Sequence, residues 1–97
     1  MNIVLVCANG MSTSLLASKM KKAAEKSGLS VNIQAVSETN FECVAAETDV
    51  LLLGPQVKYL LEEMREKYEV QGMKIRVIDR MDYGMMNGEK ILKAALA

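Results

Sequence analysis

The chain contains no histidine and no tryptophan, a single proline, two cysteines, and aromatic residues at only 4% of its 97 positions. Each shortage narrows what the protein can do. Without histidine there is no Cys-His catalytic pair, no Ser-His triad and no histidine-ligated zinc. Scarce aromatics leave a core of aliphatic side chains and methionine, of which there are eight; methionine suits irregular cores and contact surfaces. Twelve basic and twelve acidic residues cancel, and neither sign forms a long run, which argues against nucleic acid or anionic lipid as the main partner. No apolar run approaches the ~20 residues of a membrane span, and Ile3–Val6 is too short, and lacks the basic flank, for a signal peptide. These features predict a soluble cytoplasmic protein, not inserted in the membrane, whose thiols Cys7 and Cys43 stay reduced and unpaired. Residues 1–97 are read as one small α/β domain, long enough to bury roughly 60–70% of the unfolded chain's surface.

What is present is organised around Cys7-Ala8-Asn9-Gly10-Met11-Ser12-Thr13-Ser14. Before it stands the unbroken apolar run Ile3, Val4, Leu5, Val6, which suits a strand buried on both faces of a parallel sheet. After it, Leu15, Leu16, Met20, Ala23 and Ala24 recur at helical spacing among lysines and Glu25. The arrangement predicts strand, loop and helix, with Ser12, Thr13 and Ser14 at or near the helix N-cap. Gly10 permits a tight backbone, and the free N–H groups of the loop and first turn favour an anion at its centre. Cys7 then stands on the rim of an anion site, where helix dipole and loop donors stabilise a thiolate. Position alone fits equally a small apolar side chain at a strand end. The loop chemistry tips the reading toward a nucleophile able to carry a phosphoryl group, its oxygens held by charge-assisted hydrogen bonds of about 1.5–3 kcal/mol each.

The loop also lacks arginine and carboxylate. Cysteine phosphatases carry a Cys-x5-Arg loop whose guanidinium clamps the transferring phosphate; here that position is Thr13. Such a site suits carrying a phosphoryl group better than hydrolysing its ester, and it calls for no metal and no cofactor.

The remaining chain repeats the strand-then-helix pattern. Gly28 marks the end of the first helix. Val31–Val36 alternates as a half-buried edge strand, and Phe41–Ala46 reads as a short helix in which Cys43 is a buried packing residue. Val50–Leu53 is a second unbroken apolar run and a second central strand. Gly54-Pro55-Gln56 ends it, and Pro55 starts a helix whose stripe is Val57, Leu60, Leu61 and Met64. With strands 1 and 3 adjacent, Cys7 and Gly54 face one crevice, so Gln56 or nearby backbone either lines the cysteine site or simply makes the turn. Gln71-Gly72 closes that helix. Lys74–Ile78 is a fourth strand, followed by Asp79 as a capping carboxylate or, less ordinarily, an acid–base group. Met81, Tyr83, Met85 and Met86 form an apolar loop at the same sheet end as Cys7, either packing under it or presenting a docking surface. Asn87-Gly88 starts a last helix. The whole predicts a four-stranded parallel sheet in the order 2-1-3-4 with helices on both faces.

Val6-Cys7-Ala8-Asn9-Gly10-Met11-Ser12-Thr13-Ser14-Leu15-Leu16 closely resembles the active-site segment of the IIB proteins of the bacterial phosphoenolpyruvate-dependent sugar phosphotransferase system. It resembles the cellobiose and diacetylchitobiose members more than the lactose ones, whose loops are richer in glycine. Leu51–Val57 and the stretch from Val77-Ile78-Asp79 through Tyr83-Gly84 to Gly88 fit as well. The resemblance implies that Cys7 accepts a phosphoryl group from the phosphohistidine of a IIA protein. The group then passes to a sugar, of the β-glucoside disaccharide kind, at the membrane IIC transporter. Residues 8–14 are accordingly read as the phosphate-binding loop, and from their positions Gly54, Pro55, Gln56 and Tyr83 are expected to support the site or, with Met11, to line a docking rim. Two other readings share this loop: a low-molecular-weight cysteine phosphatase or arsenate reductase, which Thr13 argues against, and a non-catalytic anion- or protein-binding module.

Overall fold

The computed structural model describes residues 1–7 and 10–97, with only the backbone described for residues 10–12. Strands β1 (Asn2–Val6), β2 (Asn32–Val36), β3 (Val50–Leu53) and β4 (Lys74–Val77) form one parallel sheet in the order β2-β1-β3-β4. The expected order is therefore observed, with strand ends moved by one residue at Val31 and Ile78. The unbroken apolar runs occupy the two central positions, where both faces are covered. Strand alternation sorts them. Ile3, Leu5, Val50 and Leu52 face one core layer, and Val4, Val6, Leu51 and Leu53 face the other. At the opposite end of the sheet from Cys7 a polar clasp holds the register: the Asn2 amide donates to Asp49 Oδ2 at 2.7 Å and Asn32 Nδ2 to Asn2 Oδ1 at 3.0 Å.

Helix α1 (Gly10–Lys26) and helix α4 (Gly88–Leu96) cover the first layer, burying Leu16, Met20, Ala24, Ile91, Leu92 and Ala95. They cross closely at Gly88, where a Cβ would stand 2.8 Å from both the Lys19 carbonyl carbon and the Met20 nitrogen. Helix α1 ends on Gly28 at φ 71°, its amide donating to the Glu25 carbonyl and that of Leu29 to Ala24, the paired closure a left-handed residue permits. The second layer is covered by helix α2 (Leu61–Tyr68) and short 3₁₀ turns.

Two connections differ from expectation. Between β2 and β3, two 3₁₀ turns (Glu38–Cys43 and Ala45–Glu47) replace a short α-helix. Phe41 and Ala45 are buried in the core with the partly buried Val44 packed against it, and Phe41 meets Tyr68 edge-on with ring centroids 5.3 Å apart. Cys43, midway between those two anchors, points away and is exposed, not buried as its apolar neighbours suggest. After β3, Pro55–Leu60 is a 3₁₀ segment bent at Val57 (φ −117°, ψ 24°), and regular α-helix begins only at Leu61. The proline occupies the first position as expected, but seating Val57 and Leu60 against the second layer breaks the first turns.

Candidate active site at the end of β1

Cys7 continues β1, so alternation puts it on the Ile3/Leu5 face. Its neighbour across the sheet is equally determined. Val6 pairs with Leu53, and the next rung sets Cys7 beside Gly54, whose amide donates to the Val6 carbonyl at 2.9 Å. A Cβ on residue 54 would lie 2.4 Å from the Cys7 Sγ and 2.8 Å from Gln56 Oε1. The sulfur thus occupies the space a side chain at position 54 would fill. Strands 1 and 3 diverge into different connections here, which is the crevice where open α/β sheets place their chemistry.

Tyr83 forms the other wall. The segment from Met81 to Met86 is not an irregular loop: a short helix, α3 (Arg80–Gly84), follows β4, capped by the Asp79 carboxylate, which accepts from the amides of Met81 (3.1 Å) and Asp82 (3.2 Å). The capping role read for Asp79 is the one it fills. Helix α3 directs Tyr83 inward until it is only 8% exposed, in the core layer that also holds Cys7. Its hydroxyl faces Cys7, Gln56 and Thr13. Burial first, and then the hydrogen-bonding contact and charge of Cys7, hold the phenol above its ordinary value, while Gln56 and Thr13 pull it down. That contact is not a formed bond: the hydroxyl closes no hydrogen bond of normal geometry, so these side chains perturb it without satisfying it.

The far end of α3 is fastened in an unusual way. Met86 sits at φ 54°, its amide donating to the Tyr83 carbonyl at 3.1 Å and the Asn87 amide to Asp82 at 2.9 Å. This repeats the closure that Gly28 makes on α1, at a place where glycine is the usual occupant. A methionine tolerates the left-handed backbone here because its side chain packs against the core. Asn87 then caps α4 through Lys90. Tyr83 is therefore held from both sides.

Of the expected phosphate loop, Ala8 and Asn9, and the side chains of Met11 and Ser12, lie outside the described residues. The helix begins at Gly10, earlier than the cap read at Ser12–Ser14, so its positive end arises three residues after Cys7. Thr13 is buried at 1% exposure while Ser14 is exposed, and neither is without a polar partner. Pro55 is half-buried; Gln56 is largely exposed, with Oε1 turned back toward Gly54. Two placements are corrected. Cys7 is 2% exposed, not standing open on a rim, because its side chain belongs to the core face of β1. Tyr83, being buried beside it, lines the thiol and not a docking rim.

Of the exposed apolar surface near this end, sequence reading named Met81 and Met85 as a candidate docking surface but missed Leu15 and Tyr59. Leu15, assigned to the buried stripe, is 53% exposed, because Thr13, Leu16, Ala17 and Met20 are the residues of α1 that point inward. Tyr59, Met81 and Met85 are about as exposed or more so, on segments that follow the C-terminal ends of β3 and β4. The signal for Tyr59 was its position outside the Val57/Leu60 stripe. A cleft of about 480 Å³ lies between Leu61, Arg65, Arg76 and Ala94 and has no residue in common with the surroundings of Cys7.

A family model described as "PTS system, Lactose/Cellobiose specific IIB subunit" matches residues 2–94. Two relatives from Lactococcus lactis are each 49% identical over 98 positions, spanning 96% of this chain and 91% of their own length. They are the galactose-specific EIIB component of subspecies cremoris and the cellobiose-specific EIIB component of subspecies lactis. The solution structure of the cellobiose-specific phosphotransferase IIB component protein from Borrelia burgdorferi superposes with a TM-score of 0.79 at 41% identity. That match covers 99% of this chain and 88% of the other.

Proposed function

The chain belongs to the lactose/cellobiose-specific IIB family of the sugar phosphotransferase system, and on that premise we propose that Cys7 is the residue that carries its phosphoryl group. The observation that supports this most is the juxtaposition of the Cys7 sulfur with Gly54 at the sheet's switch point, three residues before the positive end of a 17-residue helix. In the proposed step the Cys7 thiolate attacks the phosphorus of a phosphohistidine on a IIA partner, in line with the P–N bond. The S–P bond forms, the P–N bond breaks, and the proton given up by the thiol ends on the departing imidazole nitrogen. Backbone N–H groups of residues 9–14 and the hydroxyls of Ser12, Thr13 and Ser14 are the proposed hosts of the phosphoryl oxygens. Positioning and electrostatics then supply the catalysis, as suits a loose phosphoryl transition state.

Leu15, Tyr59, Met81 and Met85 supply apolar contact surface around the site. Because Cys7 is 2% exposed, the residues covering it must give way as the partner docks. The second transfer takes place at a membrane IIC transporter, which selects the sugar, here a β-glucoside disaccharide such as cellobiose or diacetylchitobiose. The protein works from the cytoplasm; among the described residues no helix is long and apolar enough to cross a membrane. Residues 1–97 act as one IIB unit. The hydrolase alternative lacks its guanidinium, Thr13 standing in that place.

Intact-mass measurement after mixing with phosphoenolpyruvate, the general phosphotransferase proteins and a cognate IIA tests the assignment. One phosphate adduct is expected on wild type and on Cys43→Ser, and none on Cys7→Ser. No adduct on wild type from a charged donor would reject it.

A further inference from the structure

Among the described residues, the Tyr83 hydroxyl is a buried side-chain polar atom that closes no hydrogen bond. Buried polar groups are nearly always satisfied, and an exception calls for an explanation. Its surroundings supply one. The residue is 8% exposed, its ring lies in the core layer that holds Cys7, and its oxygen faces Cys7, Gln56 and Thr13. The short helix that carries it is fastened at both ends, capped by Asp79 and closed by the left-handed Met86.

We propose that Tyr83 is a positioning residue whose hydroxyl is held in reserve as a hydrogen-bond donor to the negative charge that appears at Cys7. This role rests on phosphoryl acceptance at Cys7. A neutral thiol is a weak hydrogen-bond partner; a thiolate, or the oxygen of an S-phosphoryl group, is a strong one. The donor is therefore paired poorly in the resting protein and well once charge forms, so the interaction is stronger in the reacting state than in the ground state. Tyr83 keeps its proton throughout and serves as donor alone. The carboxylates of its own helix do not compete: Asp79 is committed to the cap, and Asp82 lies 3.6 Å from Lys90 Nζ. Gln56 and Thr13, from the other two walls, are neutral. The donor compensates in part for the missing guanidinium, from a different element of the fold.

Tyr83→Phe removes the oxygen and keeps the ring. In a Cys43→Ser background, phosphoryl uptake from phospho-IIA is expected to slow by about ten- to hundredfold, the equivalent of one hydrogen bond to a charged group. The pH profile of Cys7 alkylation by iodoacetamide is expected to move to higher pH. The melting temperature at neutral pH is expected to stay level or rise, since the lost hydroxyl had no partner; a structural role would lower it. Equal uptake and superimposable alkylation profiles would overturn the proposal. If wild type takes up no phosphoryl group while Tyr83→Phe still displaces the alkylation profile, the carrier reading fails and the donor role of Tyr83 stands.

Discussion

The Cys7 sulfur and the α-carbon of Gly54 share one small volume, such that a Cβ on residue 54 would come within 2.4 Å of Sγ. The relationship follows from register: parallel pairing of Val6 with Leu53 brings the next residue of each strand into contact on the same face. A glycine just after β3 thereby makes room for the thiol that follows β1.

Gly54→Ala should cost about 1–3 kcal/mol, the usual penalty for overpacking a tight interior. Thermal melts of Gly54→Ala in wild-type and Cys7→Ala backgrounds check the source of the clash. The penalty should shrink once Sγ is gone, since Gln56 Oε1, the other near atom, belongs to a largely exposed side chain that can swing away. An equal loss in both backgrounds would show that the sulfur is not what crowds residue 54.

Tyr83 makes stability sensitive to alkaline pH. Its phenol is held above the ordinary value of 10.0 in the folded chain, by burial first and then by Cys7. The unfolded chain therefore loses this proton at lower pH than the folded chain does. The resulting stabilisation is fully present below pH 10 and is lost as pH climbs through the folded value. Denaturant melts from neutral pH to above pH 10 should show a steeper alkaline decline for wild type than for Tyr83→Phe; parallel curves would contradict the assignment.

Asp79 reaches the thiol through α3. Asp79→Ala removes an N-cap that accepts two amides and should cost about 0.5–2 kcal/mol. Because α3 aims Tyr83, phosphoryl uptake should slow as well. Asp79→Asn retains a capping oxygen and should recover most of both losses, as read by urea melts and transfer kinetics on the same preparations.

Gly88 sets two effects against each other. Alanine in a helix is favoured over glycine by up to about 1 kcal/mol, but a Cβ here would meet backbone atoms of Lys19 and Met20 at 2.8 Å, which cannot rotate aside. Packing should win, with Gly88→Ala lowering stability by about 1–3 kcal/mol. Transfer per folded molecule should be unchanged, since Gly54, Gln56, Thr13 and Tyr83, the residues placed beside the thiol, lie on other elements.

Much of this arrangement is legible in the order of residues. Unbroken apolar runs at Ile3–Val6 and Val50–Leu53 identify central strands because only a strand covered on both faces can bury every side chain. Gly28 and Asp79 announce a helix end and a helix start through backbone chemistry that acts over a few residues. With β1 and β3 recognised as neighbours, the meeting of Cys7 with Gly54 follows. The sequence by itself thus determined the strands, their order and the family.

Only the tertiary structure decided which way the ambiguous side chains face. Cys43 is exposed and Cys7 buried, the reverse of what local setting suggests, because Phe41 and Ala45 anchor one connection and the core face of β1 claims the other thiol. Leu15 points to solvent, and Tyr83 turns from a surface loop into the wall of the site on a five-residue helix. Such short segments carry too few residues for a periodic signal. Their orientation is set by contacts with residues distant in sequence, and those contacts exist only once the sheet has assembled.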